Sequence, residues 1–104
     1  MATTTKVLFR GAASTSSTTL YTVPNSSTTT IVTNILVANT AATNATFELL
    51  IDDVVIAKTV GVSANDTTVI DMKQVIPANA TPKTIKGLAS ATTVNFHISG
   101  IEIS

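Results

Sequence analysis

The sequence predicts an all-β fold, a single-domain antiparallel β-sandwich of about eight short strands with jelly-roll or immunoglobulin-like topology. Three observations predict it. Threonine and the β-branched apolar residues dominate the chain, as in Thr28-Thr29-Thr30-Ile31-Val32-Thr33-Asn34-Ile35-Leu36-Val37. A branched Cβ loses rotamer freedom in a helix and packs well on a pleated, half-buried surface. Turn residues recur at short intervals, among them Pro24-Asn25-Ser26-Ser27, Asp52-Asp53 and Gly61–Asp66. Between these turns the apolar residues follow a strand pattern, and no segment carries a clear helical period.

A chain of 104 residues is one domain. At this size roughly 65% of the unfolded surface is buried on folding, enough for a core without disulfides or metal. Hydrophobic residues make up 44% of the chain, as in an ordinary globular protein. Within the domain, the expected division is an N-terminal strand or arm with a Ser/Thr linker over residues 1–17 and the sandwich over residues 18–104. Six basic and six acidic residues give a formal net charge of 0. Lys6, Arg10, Lys83 and Lys86 form no basic patch with interleaved aromatics, which disfavours nucleic acid as a partner. Cysteine is absent, so no disulfide is expected. Met1–Lys6 lacks the charged and apolar regions of a secretory signal. No apolar run approaches the ~20 residues that cross a bilayer, so synthesis in a cytosol without membrane contact is expected.

The elements follow in order. Val7–Ala13 is a first strand, Ser14–Thr19 a linker, and Leu20–Val23 a second strand stopped by Pro24. Thr29–Asn39 is the clearest strand. Ile31, Thr33, Ile35 and Val37 fall in one phase and Val32, Asn34, Leu36 and Ala38 in the other, and both phases are partly apolar, which predicts a central position. Phe47, Leu49 and Ile51 alternate with Thr46, Glu48 and Leu50, and Asp52-Asp53 joins them to Val54–Val60 in a tight hairpin that lacks the usual Gly. Thr67–Met72 is a strand, Lys73–Ala80 a helical turn or irregular crossing, and Ile85–Leu88 a short strand. The last strand, Val94–Ile103, changes phase. Val94, Phe96 and Ile98 share one parity, and Ile101 and Ile103 the other. A β-bulge at Ser99-Gly100 would return all of them to one face; the alternative is a strand buried on both sides.

Residues able to carry chemistry are few. His97 is the only histidine and lies opposite Phe96 and Ile98, so it faces solvent or an interface. No second His and no Cys stands at ligand spacing from it. Asp52 and Asp53 would point to opposite faces in a strand and are read as turn residues, as is Asn65-Asp66-Thr67. Asp71, between Ile70 and Met72, is either a satisfied, partly buried carboxylate or an edge-strand charge. The Thr-rich tracts Thr3–Thr5, Ser14–Thr19 and Ser26–Thr30 lack the regular ladder that ice binding needs. Tyr21 and three Phe are too few for the aromatic platforms of glycan sites. No catalytic residue, metal ligand or cofactor site is expected, and no enzyme.

Leu20-Tyr21-Thr22-Val23-Pro24, Thr29–Ile35, Asn39-Thr40, the run from Phe47, Ala64-Asn65-Asp66-Thr67 and Val94–Glu102 together resemble the small β-sandwich virion structural proteins of tailed bacteriophages. The resemblance covers about residues 18–103 and consists of packing and turn patterns. Relatives typically carry Gly in the turn after Val-Pro and in the hairpin turn, where this chain has Asn25-Ser26-Ser27 and Asp52-Asp53. What it implies is a virion component, made in the host cytoplasm. A capsid decoration (cement) protein bridging capsid subunits leads, partnered by the major capsid protein and by its own copies, with a trimer as the implied oligomer. Segments Met1–Lys6 and Ser14–Thr19 would be free to order on a neighbour. A neck, tail, baseplate or fibre component and a receptor- or glycan-binding module are the alternatives.

Overall fold

The computed structural model describes residues 2–71 and 73–104. Among the described residues there are nine strands and no helix: β1 (Thr3–Ala12), β2 (Thr18–Thr22), β3 (Thr29–Asn39), β4 (Ala45–Ile51), β5 (Val54–Val62), β6 (Thr67–Ile70), β7 (Gln74–Ile76), β8 (Thr84–Ala89) and β9 (Val94–Ile103). They form two antiparallel sheets. The five-stranded sheet runs β1-β9-β3-β6 with β7 also on β3, and the four-stranded sheet runs β2-β8-β4-β5. β6 pairs with Ile35–Ala38 and β7 with Thr30–Val32, so the two short strands share one edge. Successive strands cross from sheet to sheet, apart from the β4–β5 hairpin and the β6–β7 pair. This is the strand order of a jelly roll and settles the topology against the immunoglobulin-like alternative.

Val32, Ile35 and Val37 of β3, Val94, Phe96 and Ile98 of β9, Phe47 and Leu49 of β4, and Ile85 of β8 fill the space between the sheets and are essentially solvent-free. Phe47 and Phe96 meet across the sandwich edge to face, with ring centroids 6.0 Å apart and planes at 74°.

Several expectations are corrected. β9 contains no bulge at Ser99-Gly100. It alternates without interruption, with Val94, Phe96, Ile98 and Gly100 inward. The extra residues lie in its neighbours: the register shifts between Val7 and Phe9 in β1 and between Val32 and Asn34 in β3. Leu8 and Thr33 therefore stand as bulge residues on either side of one level of β9. Thr33 also breaks the expected phase of β3, so that Thr30 and Val32 share the buried face with Ile35 and Val37. Gly100 keeps its inward position because it has no side chain: a Cβ there would collide with the Ile31 carbonyl oxygen and lie 2.8 Å from Leu8 Cδ1. Gln74–Ile76, expected within a helical turn or irregular crossing, is a short strand, because Ile76 is wholly buried opposite Thr30. β1 begins at Thr3, and Thr3–Lys6 pair with Gly100–Ile103 instead of hanging free. β2 begins at Thr18, and β5 continues to Val62. The expected strand end at Met72 lies outside the described residues; β6 stops at Ile70.

Candidate interaction surface

Two buried polar clusters fix the ends of the sandwich. At one end, Asn39 is buried and its amide donates to the carbonyls of Thr43 (2.8 Å), Val62 (3.3 Å) and Ser63 (3.4 Å). Its carbonyl oxygen accepts from the Ala41 N–H at 3.1 Å and the Thr93 hydroxyl at 3.3 Å. One side chain thus ties together the β3–β4, β5–β6 and β8–β9 loops. At the other end, Tyr21 of β2 bridges the sheets. Its hydroxyl donates to Glu102 Oε2 at 2.5 Å and accepts from the Thr30 hydroxyl at 2.8 Å. Glu102 also meets Lys6 at 3.3 Å. Burial of the phenol, with the Glu102 hydrogen bond and charge added, pushes Tyr21 up to about 12, against a smaller opposing effect of Thr30. Sequence reasoning gave these residues no such role. The signal was present in Thr30, Asn39 and Glu102, polar residues on otherwise apolar strand stretches.

The outer faces of the two sheets differ in kind. That of the four-stranded sheet carries Glu48, paired with Lys58 at 3.2 Å, and Lys86, paired with Asp53 at 2.8 Å. That of the five-stranded sheet is laid out in cross-strand rows: Thr3, Ile103, Thr29; then Thr5, Ile101, Ile31, Val75; then Val7, Ser99, Asn34; then Arg10, His97, Leu36, Val69; then Ala12, Asn95, Ala38, Thr67. Arg10 and His97 are the ionisable groups of these rows. Val75 and Val69 are each 60% exposed and Val7 46%. A sandwich sheet ordinarily alternates apolar inward and polar outward. Here Ile31, Ile101, Ile103 and Leu36 repeat the apolar character on the outward side. The paired bulges at Leu8 and Thr33 shape this face, which holds an open depression of about 420 Å³ lined by Thr5, Lys6, Val7, Thr33, Ser99, Gly100 and Ile101.

The structure brings the other singled-out residues to no common site. His97 lies on this outer face between Arg10 and Leu36. Asp52 and Asp53 take positive φ values of 55° and 58°, a primed two-residue hairpin turn, and pair with Lys83 (3.3 Å) and Lys86 (2.8 Å). The Lys86 hydrogen bond and charge hold the Asp53 carboxyl below the usual carboxylate range. Asp66 accepts from the Thr67 N–H at 2.8 Å, and Asn65 is left-handed with φ 55°. Asp71 is exposed. Among the described residues, no three of His, Asp and Glu gather as they would around a metal ion.

No protein-family model matches the chain, and no curated protein matches it in sequence. The fold does have solved counterparts. The chain is similar to one in the structure of infectious bursal disease virus, Gx strain, with a TM-score of 0.57 and 16% identity over 97% of this chain and 30% of that one. It is likewise similar to one in the crystal structure of the T13 viral particle of the same virus, with a TM-score of 0.55 and 11% identity over 97% and 30%. Chains of a virus particle carry this fold. The likeness takes in nearly all of the present chain, β1 included, and the present chain spans about 30% of the length of those it matches.

Proposed function

We propose that this chain is a structural protein of a virus particle, acting by binding and not by catalysis. Within that role we assign it to the tailed-bacteriophage type that its sequence resembles, as a capsid decoration (cement) protein bridging capsid subunits. The observation that carries the reading is the jelly roll shared, over 97% of the chain, with chains of a virus structure. The surface chemistry supports it. A cement protein works through broad, flat contacts, and the outer face of the five-stranded sheet offers Ile31, Leu36, Val69, Val75 and Ile101 among Thr, Ser and Asn side chains, with Arg10 and His97 as its ionisable groups. Copies repeated closely on a shell also must not repel one another, and a net charge of 0 meets that need. Its partners on this reading are the major capsid protein and further copies of itself, and its location is the virion.

Counting the protein in purified particles by quantitative mass spectrometry tests the assignment. A copy number comparable to that of the major shell protein supports the cement role. A few copies per particle would transfer it to the neck, tail or fibre, and absence from the particle would overturn the virion reading altogether.

A further inference from the structure

We propose that the free edge of β1 pairs with the same edge of a second copy, antiparallel about a two-fold axis at Thr5, joining the two five-stranded sheets into one. The phase of the β1–β9 ladder shows which backbone groups are free. Ala2 and Ser104 exchange both of their bonds, Ala2 N–H to the Ser104 carbonyl at 2.7 Å and Ser104 N–H to the Ala2 carbonyl at 2.9 Å. Hydrogen-bonded pairs recur at every second residue of an antiparallel ladder, so Thr4–Glu102 and Lys6–Gly100 are the next ones. The N–H and C=O groups of Thr3, Thr5 and Val7 therefore point away from β9. Among the described residues, no strand other than β9 pairs with β1, and Thr3–Val7 are all exposed.

The other sheet edges are closed to strand addition. β6 and β7 have only 4 and 3 residues. β2 has 5 and slips register between Thr19 and Tyr21. β5 slips twice against β4 and turns left-handed at Thr59. Short and bulged edges are how a sheet avoids further pairing. β1 has no such device before its bulge at Leu8. Thr3–Val7 keeps one register and is β-branched apart from Lys6, whose charge is met by Glu102 at 3.3 Å. This run also selects its occupant. The residues with free backbone groups, Thr3, Thr5 and Val7, lie evenly about Thr5. Turned over about that point, the same edge sets Thr5 against Thr5 and Thr3 against Val7, and each such pair exchanges both backbone bonds. Thr4 then faces Lys6. No like charges stand directly opposite, and Thr–Thr is a favourable cross-strand pair. Lys6 is neutralised within its own chain and Arg10 lies beyond the bulge, so no charge on the run calls for an acidic strand instead. Because one edge meets itself, the contact is isologous and closes at two copies.

So narrow a pairing belongs to the weak, transient class of interfaces and is read near about 1 mM protein. Amide hydrogen exchange and sedimentation equilibrium on the purified full chain test it without any particle present, so it and the particle reading can fail separately. In dilute wild type, the Thr4 and Lys6 amides should exchange slowly and those of Thr5 and Val7 fast. On concentration, Thr5 and Val7 should slow severalfold as the mass rises toward twice that of the chain. Thr5→Lys and Thr5→Glu each set like charges opposite one another at the axis and should each weaken association about fivefold. Thr5 is exposed, so both variants should keep the wild-type thermal midpoint. An equimolar mixture of the two should regain association, because opposite charges then meet at the axis. Thr5 and Val7 exchange that is independent of concentration, a mass that ends at a trimer, or a mixture that associates no better than either variant alone would each overturn the proposal.

Discussion

Tyr21 joins the two sheets through its hydroxyl, which meets Thr30 and Glu102. It is the chain's single tyrosine, so its phenolate absorbance can be read without interference. Burial favours the neutral phenol, and the Glu102 carboxylate accepting its proton adds to that preference. The fold therefore stabilises the neutral form. This contribution is whole below pH 10.0, the ordinary tyrosine value, and is lost as pH rises through the folded value of about 12. A spectrophotometric titration should place the midpoint well above the ordinary value, and the thermal midpoint of the wild type should fall more steeply over this alkaline range than that of Tyr21→Phe. A midpoint at the ordinary value would contradict the buried bridge. At neutral pH, Tyr21→Phe leaves the Thr30 hydroxyl without its partner and should cost about 1–2 kcal/mol in denaturant unfolding. Thr59 shows the opposite case, a residue ill suited to its backbone. It sits in β5 at φ 50°, where the register slips between its pairings with Phe47 and Leu49. A β-branched residue is strained in the left-handed region. Thr59→Gly should stabilise the protein by about 1 kcal/mol, measured as a shift in denaturant midpoint at constant slope; a loss of stability would show that the Thr side chain contributes more than its strain costs.

At the scale of elements, the bulge pair around β9 makes a sharp contrast between two glycines. A Cβ at Gly100 would meet the Ile31 carbonyl and Leu8, whereas a Cβ at Gly61 meets nothing within 4 Å. Gly100→Ala should destabilise by about 1–3 kcal/mol through overpacking. Gly61→Ala should be neutral or stabilise by up to about 1 kcal/mol, since it reduces the freedom of the unfolded chain. Equal effects of the two substitutions on the thermal midpoint would contradict the described packing. The same region shows what a sequence reveals and what it withholds. The bounds of β3 and β9 were legible because each is a long β-branched, apolar-rich run ended by polar loop residues. The Asp52-Asp53 hairpin was legible from its flanking runs, even without a Gly. The phase change in β9 was also visible, but its cause was not. Ile101 and Ile103 do point to the other face, and the compensating residues belong to β1 and β3, which only the pairing reveals. β7 was illegible because three residues before Pro77 carry no periodicity, and it exists through Ile76 packing opposite Thr30. Jelly-roll order depends on which sheet each crossing strand joins, and no local pattern records that choice. The Asn39 and Tyr21 clusters stayed hidden for the same reason, since each draws partners from widely separated strands and loops.

For the molecule as a whole, the two-layer fold leaves the mixed apolar and polar outer face of the five-stranded sheet uncovered. The sequence expected β3 to be apolar on both sides. The sandwich covers one side with its partner sheet, and the structure has no second layer for the other. That mismatch leaves Ile31, Leu36, Val69, Val75 and Ile101 on an open outer face, whereas the outer face of the opposite sheet carries the Glu48–Lys58 and Lys86–Asp53 pairs. The most direct measurement is a cryo-electron microscopy reconstruction of particles from the source that encodes this chain, compared with particles lacking it and with the latter after purified protein is added back. The account predicts ordered density of one or two sandwiches at regular positions on the capsid exterior, absent without the protein, restored by addition, and accompanied by greater heat resistance. Identical reconstructions and identical heat resistance in all three samples would contradict it.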